Sequence, residues 1–107
     1  MEEALLKAKT IIQEEIKRAG LNLRQLLLFG SRARGKARPD SDWDFLIVVD
    51  RLPERPLRLR LETRIGVRLV QERLPADVLI LSESQFDECK NDVGHIAYYA
   101  ARESIVL

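Results

Sequence analysis

The chain has 107 residues, a formal net charge of +1, 46% hydrophobic and 33% charged residues, one cysteine and one histidine. That length supports one hydrophobic core, so a single domain over 1–107 is expected, and the composition is ordinary for a globular protein. A lone Cys89 excludes an internal disulfide and a lone His95 excludes zinc-site spacing. No apolar run reaches the roughly 18 residues of a membrane span, and the near-neutral charge gives no sign of a nucleic-acid binder.

The opening Glu2-Glu3 leads into a helical pattern and not a signal peptide, so a cytoplasmic protein is expected. Leu5, Ala8, Ile12, Ile16 and Ala19 recur at spacings of three and four and predict a first amphipathic helix, stopped by Gly20. Leu26–Phe29 is a short apolar run and reads as a buried strand. Gly30-Ser31 then starts a helical turn, and Gly35–Ser41 is a loop punctuated by Pro39. Trp43–Val49, rich in β-branched and aromatic residues, predicts a second strand. It is apolar at alternate positions on both faces, and the chain's own helices or another protein would have to cover it.

Leu57, Leu61, Ile65 and Leu69 repeat every fourth residue and predict a helix over about 57–73, ended by Pro75. Asp77–Leu81 (DVLIL) is a third strand. Ser82 or Ser84 caps a short helix, and Asn91 is the expected cap of a last helix with Val93, Ile96, Ala97 and Ala100 on its packed face. His95 falls on that helix as a surface or packing residue. Tyr98 is expected in the core, Tyr99 at an interface, and Cys89 as a packed bystander. Ile105–Leu107 is either a terminal strand or a partner contact.

The charge is unevenly spread. No acidic residue lies between Glu15 and Asp40, where Lys17, Arg18, Arg24, Arg32, Arg34, Lys36 and Arg38 all fall, and Asp40, Asp42 and Asp44 follow at once. Side chains alternate along a strand, so Asp42 and Asp44 project from one face and Trp43 from the other, into the core. Two carboxylates held that close repel unless a cation lies between them, and hard oxygen ligands favour Mg²⁺ or Mn²⁺. An isolated Asp-x-Asp is more often a turn, but three neighbours strengthen the metal reading. Glycine at 30 allows close approach of a phosphate, whose oxygens backbone N–H groups and the Ser31 hydroxyl can bind. Arg32 and Arg34 are suited to neutralising a triphosphate. Asp77 opens another apolar strand, where it can join the first two carboxylates.

The run Phe29–Val48, FGSRARGKARPDSDWDFLIV, resembles the signature of the DNA polymerase β-like nucleotidyltransferases: Gly-Ser, ten intervening residues, Asp-x-Asp. GSRARG and SDWD resemble its minimal nucleotidyltransferase branch, and DVLIL matches the strand that carries that family's third carboxylate. The resemblance implies an α/β fold, a small mixed sheet with helices packed mainly on one face and the site at the ends of the first two strands. It implies that Gly30 and Ser31 hold the β- and γ-phosphates of a nucleoside triphosphate, with Arg32 and Arg34 on the phosphate side. Asp42 and Asp44 would hold two Mg²⁺ ions (or Mn²⁺), and Asp77 would be a further metal ligand or a base at the acceptor hydroxyl. Transfer by in-line displacement needs no side-chain nucleophile.

The family's usual donor is ATP. Minimal members are typically paired with a small helical HEPN protein as the antitoxin of a toxin–antitoxin pair. The implied function is therefore transfer of AMP to a tyrosine of that partner, in a homo- or hetero-oligomer. Two alternatives are an antitoxin that works by occlusion without catalysis, and transfer to a small aminoglycoside-type acceptor.

Overall fold

The computed structural model describes residues 2–107. The elements follow in the order α1 (Glu2–Arg18), β1 (Leu23–Phe29), α2 (Gly30–Ala33), β2 (Trp43–Val49), α3 (Arg55–Gln71), β3 (Ala76–Ser82), α4 (Glu83–Cys89), α5 (Ile96–Glu103) and β4 (Ile105–Val106). The strands form one sheet in the order β3-β2-β1-β4, with β2–β3 parallel and both pairings of β1 antiparallel. This is the mixed sheet expected. The terminal segment is a strand, Val106 pairing with Leu27 and Ile105 with Leu28.

The pattern of β2 explains the layering. Trp43, Phe45, Ile47 and Val49 face α1 and α3, joined by Ile12, Ile16, Leu61, Ile65 and Leu69. Leu46 and Val48 face the other way, onto Leu81, Phe86, Ala97 and Ala100 of β3, α4 and α5. The two 17-residue helices thus sit on one face, while the shorter α4 and α5 cover the other. Every β2 residue is buried except Asp44, so the chain itself covers both faces of this strand and leaves none of it for a partner. Among the described residues no helix is long and apolar enough to cross a membrane.

Several local details differ from the periodic reading. In α1 the buried set is Ala8, Ile11, Ile12, Glu15 and Ile16, while Ala19 is exposed. Glu15 is only 1% exposed and is met by Arg68 of α3 at 2.8 Å, the pairing that a buried charge demands. In α3, Leu61, Ile65 and Leu69 are buried, but Leu57, in the helix's first turn, is 53% exposed. The last helix is capped by His95 and not by Asn91: His95 Nδ1 accepts the Ala97 N–H at 3.0 Å. Asn91–Gly94 form a turn ahead of it, which leaves Val93 and Ile96 exposed. Ser82, the first of the two candidates, caps α4 in a reciprocal box with Gln85.

The end of α3 carries an identifiable strain. Arg73 N–H bonds Val70 O at 2.9 Å and Leu74 N–H bonds Leu69 O at 2.8 Å, closing a Schellman motif. The left-handed residue of that motif is Arg73, at φ 60° and exposed, where glycine would be unstrained. Arg73→Gly is expected to raise stability by about 0.5–1 kcal/mol, read as a higher urea midpoint at unchanged slope.

Candidate active site

Strand register assembles the site. Phe29, the last residue of β1, lies opposite Asp44, and Asp44 lies opposite Asp77 across the parallel pair. Neighbouring strands run about 4.8 Å apart, so two carboxylates stand side by side on the α4/α5 face of the sheet. Like charges directly opposite one another destabilise a sheet. Asp42 lies one residue ahead of β2, exposed, and its charge also bears on Asp44. Burial first, then the charges of Asp77 and Asp42, hold the Asp44 carboxyl above its ordinary value of 3.8, with Arg34 acting in the opposite direction. Of the three aspartates named from the sequence, the register thus places Asp44 beside Asp77, and Asp42 lies just ahead of β2 where its charge reaches Asp44.

Gly30 is pressed directly onto this cluster. It has φ +75°, and a Cβ there would overlap Asp44 Oδ2 and lie 3.0 Å from Asp44 Cγ. Glycine is thus required twice at this position, for the backbone angle and for the space taken by the carboxylate. The next residues form the four-residue helix α2, whose N-cap, Phe29, provides no side-chain cap. The first N–H groups of such a turn have no partner within the helix, and Ser31 stands among them. Gly30-Ser31 therefore presents hydrogen-bond donors beside three carboxylates, an arrangement able to hold an anion and its cation together.

The two arginines have different surroundings. Arg32 Nη2 and Nε donate to Ser41 O at 2.7 and 3.1 Å, Nη2 also reaches Pro39 O at 3.3 Å, and the guanidinium lies 4.2 Å above the Trp43 ring. Its fork is spent on the 36–41 loop, and it acts as a clamp that fixes the approach to Asp42. Lys36 N–H to Ser31 O (2.9 Å) and Ser41 N–H to Arg38 O (3.0 Å) close the same loop. Arg34 stays half-exposed near Asp44 and pairs with Glu103 of α5 at 3.6 Å. The Ser41 and Pro39 carbonyls, and Glu103 some seventy positions away in the chain, carried no signal in the sequence; only Trp43, as an aromatic facing the core, hinted at the platform.

Arg32→Ala is expected to release this loop. Amide exchange over 36–41 should quicken roughly tenfold, the equivalent of one net hydrogen bond, and the emission of Trp43, the one tryptophan, should change. Arg32→Lys should recover little, because an ammonium cannot bridge two carbonyls while stacked on an indole.

Among the described residues no three His, Cys, Asp or Glu side chains are grouped closely enough to hold a metal ion together. Mg²⁺ commonly binds through one or two carboxylates and completes its shell with water and substrate phosphates. The surplus of negative charge around Asp44, offset only by Arg34, suits such a partial ligand set.

A nucleotidyltransferase domain model matches residues 7–102. The chain is 30% identical over 87 residues to the protein adenylyltransferase MntA of Aphanizomenon flos-aquae (strain 2012/KM1/D3), covering 79% of this chain and 56% of that protein. It therefore spans little more than half the length of that relative. Among solved structures, a toxin–antitoxin with AMP-PNP aligns over 91% of this chain and 69% of its own, with TM-score 0.58 and 16% identity. A mutant of the toxin–antitoxin MntA–HpeT aligns over 92% and 70%, with TM-score 0.59 and 17% identity. At those identities the likeness is one of fold. With the family match spanning nearly the whole chain and the Gly-Ser and aspartate elements meeting at one end of three adjacent strands, the chain belongs to the nucleotidyltransferase domain family.

Proposed function

We propose that this protein transfers AMP from ATP to an acceptor hydroxyl, a tyrosine of a HEPN-type toxin, and so acts as that toxin's antitoxin. The observation that carries the reading is the placing of Asp44 beside Asp77 and against Gly30, an arrangement that costs stability and has a use only when a cation and a phosphate enter. The name of the MntA relative, a protein adenylyltransferase, supports a protein acceptor, and the AMP-PNP in the similar toxin–antitoxin supports an adenine nucleotide donor.

Gly30 and Ser31 hold the β- and γ-phosphates through backbone N–H groups and the Ser31 hydroxyl. Asp42, Asp44 and Asp77 would hold the divalent ions. When bound, Mg²⁺ supplies charge neutralisation on the phosphates and on the attacking oxygen. Asp77, exposed at the mouth of β3, faces the acceptor and takes up or relays its proton. The acceptor oxygen forms a bond to the α-phosphorus while the bond to pyrophosphate breaks in line. Arg34, braced by Glu103, offsets the growing charge on the pyrophosphate side. Arg32 holds the loop before Asp42 through the Ser41 carbonyl.

The test is the intact mass of the genome-neighbour HEPN protein after incubation with this chain, Mg²⁺ and each nucleoside triphosphate. One added AMP, on a tyrosine, with ATP alone, is expected. An unchanged mass in a complex that still forms would replace catalysis with occlusion.

A further inference from the structure

The sheet face opposite the carboxylates carries a second surface. We propose that the outer side of α3 is a docking site for an acidic amphipathic helix of another protein. The proposal is independent of the catalytic reading above.

Helix α3 has five arginines and one acidic residue. Arg60, Arg64 and Arg68 recur every fourth residue, forming a ridge about 12 Å long. Arg68 is held by Glu15 and by Glu14, each at 2.8 Å, and Arg64 lies 3.9 Å from Glu15. Glu15, 1% exposed, is thus a buried anchor for Arg68, and its charge also lies near Arg64. Arg60 has no hydrogen-bond or ion-pair partner among the described residues.

Aliphatic residues flank this ridge on both sides. Leu59 and Val67, 45% and 52% exposed, line a groove of about 530 Å³ together with the three arginines. Leu57 lines another, of about 310 Å³, on the side toward α1. These side chains do nothing for the core, which α3 meets through Leu61, Ile65 and Leu69. A fold that needs an amphipathic helix here has instead one that is apolar on its outer side as well.

The ridge selects the occupant. A helix packs its own four-residue rows into the grooves beside such a ridge. A carboxylate on it can meet the unpaired Arg60 bidentately, and further carboxylates at four-residue spacing would lie over Arg64 and Arg68, whose guanidiniums Glu15 and Glu14 already share. Nucleic-acid interfaces are more polar, and phosphates make no use of aliphatic grooves, so the exposed Leu57, Leu59 and Val67 favour a protein. A second copy of this chain is a poor match: its acidic helix α4 has seven residues, and Glu83 and Asp87 are already paired with Arg24 and Lys90. Because α3 lies on the Trp43 side of the sheet and Asp44 on the other, an occupied α3 leaves the carboxylates open.

The experiment measures fluorescence anisotropy of a labelled synthetic helical peptide of about 18 residues, with leucines on one stripe flanked by glutamates every fourth residue. A lysine-for-glutamate counterpart and a single-stranded RNA of similar length are run beside it, with light scattering for self-association. The acidic peptide is expected to bind with a Kd on the order of 10 µM or tighter. Its affinity should fall at least about fivefold in Arg60→Glu and in Val67→Asp, both exposed positions that leave the melting temperature unchanged. The lysine counterpart should not bind the wild type. Absent binding, equal binding to both variants, preference for RNA, or self-association lost in Val67→Asp would each overturn the proposal.

Discussion

Asp44→Asn is expected to make the protein more stable and inactive in the same step. At neutral pH the Asp44 carboxylate is partly desolvated and repelled by Asp77 and Asp42, with only Arg34 in opposition. An amide of the same shape removes that repulsion and keeps the packing against Gly30. After discounting for solvent screening, the relief corresponds to a rise of about 2–4 °C in melting temperature in metal-free buffer. A group whose folded pKa is raised favours folding below its unfolded pKa and loses that contribution as pH rises through the folded pKa. The stability gain in the variant should therefore be full above that raised value and vanish near pH 3, below the ordinary 3.8, where the wild-type carboxyl is neutral in both states. Mg²⁺ should raise the melting temperature of the wild type and not of the variant, and nucleotidyl transfer should fall at least ~10³-fold, the upper end of losing one preorganised electrostatic group. A variant that is less stable, or that still transfers AMP, would remove Asp44 from the centre of the site.

What the sequence reveals and conceals follows the range of the interactions. Asp42, Trp43 and Asp44 could be sorted onto opposite faces because a strand's period of two is a local property, and Trp43 is indeed packed in the core. Gly30 was legible as a phosphate-approach residue, but its contact with Asp44 depends on a hydrogen-bonded register between strands that no local pattern carries. Arg32 reads from the sequence as a phosphate-side charge, whereas Ser41 O and the Trp43 face claim its guanidinium through contacts that no local pattern carries. Asn91 had the residue type of a cap but lost to His95, because six residues, Lys90–His95, pass between α4 and α5 before the backbone becomes helical again. Glu15 breaks the apolar stripe of α1, and its burial has no local signal; Arg68, far along the chain, is what allows a carboxylate there.

Gly30→Ala is the substitution that best isolates the geometry of the site. Alanine at φ +75° costs about 1–2 kcal/mol in backbone strain alone. Gly35, at φ +70° with nothing within 4 Å of a Cβ, provides the matched control. Both variants should lose that stability, but only Gly30→Ala also displaces the Asp44 carboxyl from its place beside Asp77. Transfer by Gly30→Ala is expected to fall on the order of 10²-fold, the cost of misplacing a reacting constellation by about an ångström. Gly35→Ala should keep most of its activity in the fraction that is folded. Stability carries the same distinction. In an Asp44→Ala background the overlap with Asp44 Oδ2 and Cγ is gone and only the Cβ contact at 3.3 Å remains, so Gly30→Ala should cost little more than Gly35→Ala does, and the double-mutant cycle should give a coupling of roughly 0.5–2 kcal/mol. A coupling of zero would mean that Gly30 and Asp44 do not touch. The glycine of the signature would then serve the turn alone, and the close approach of backbone to carboxylate would not be part of the catalytic arrangement.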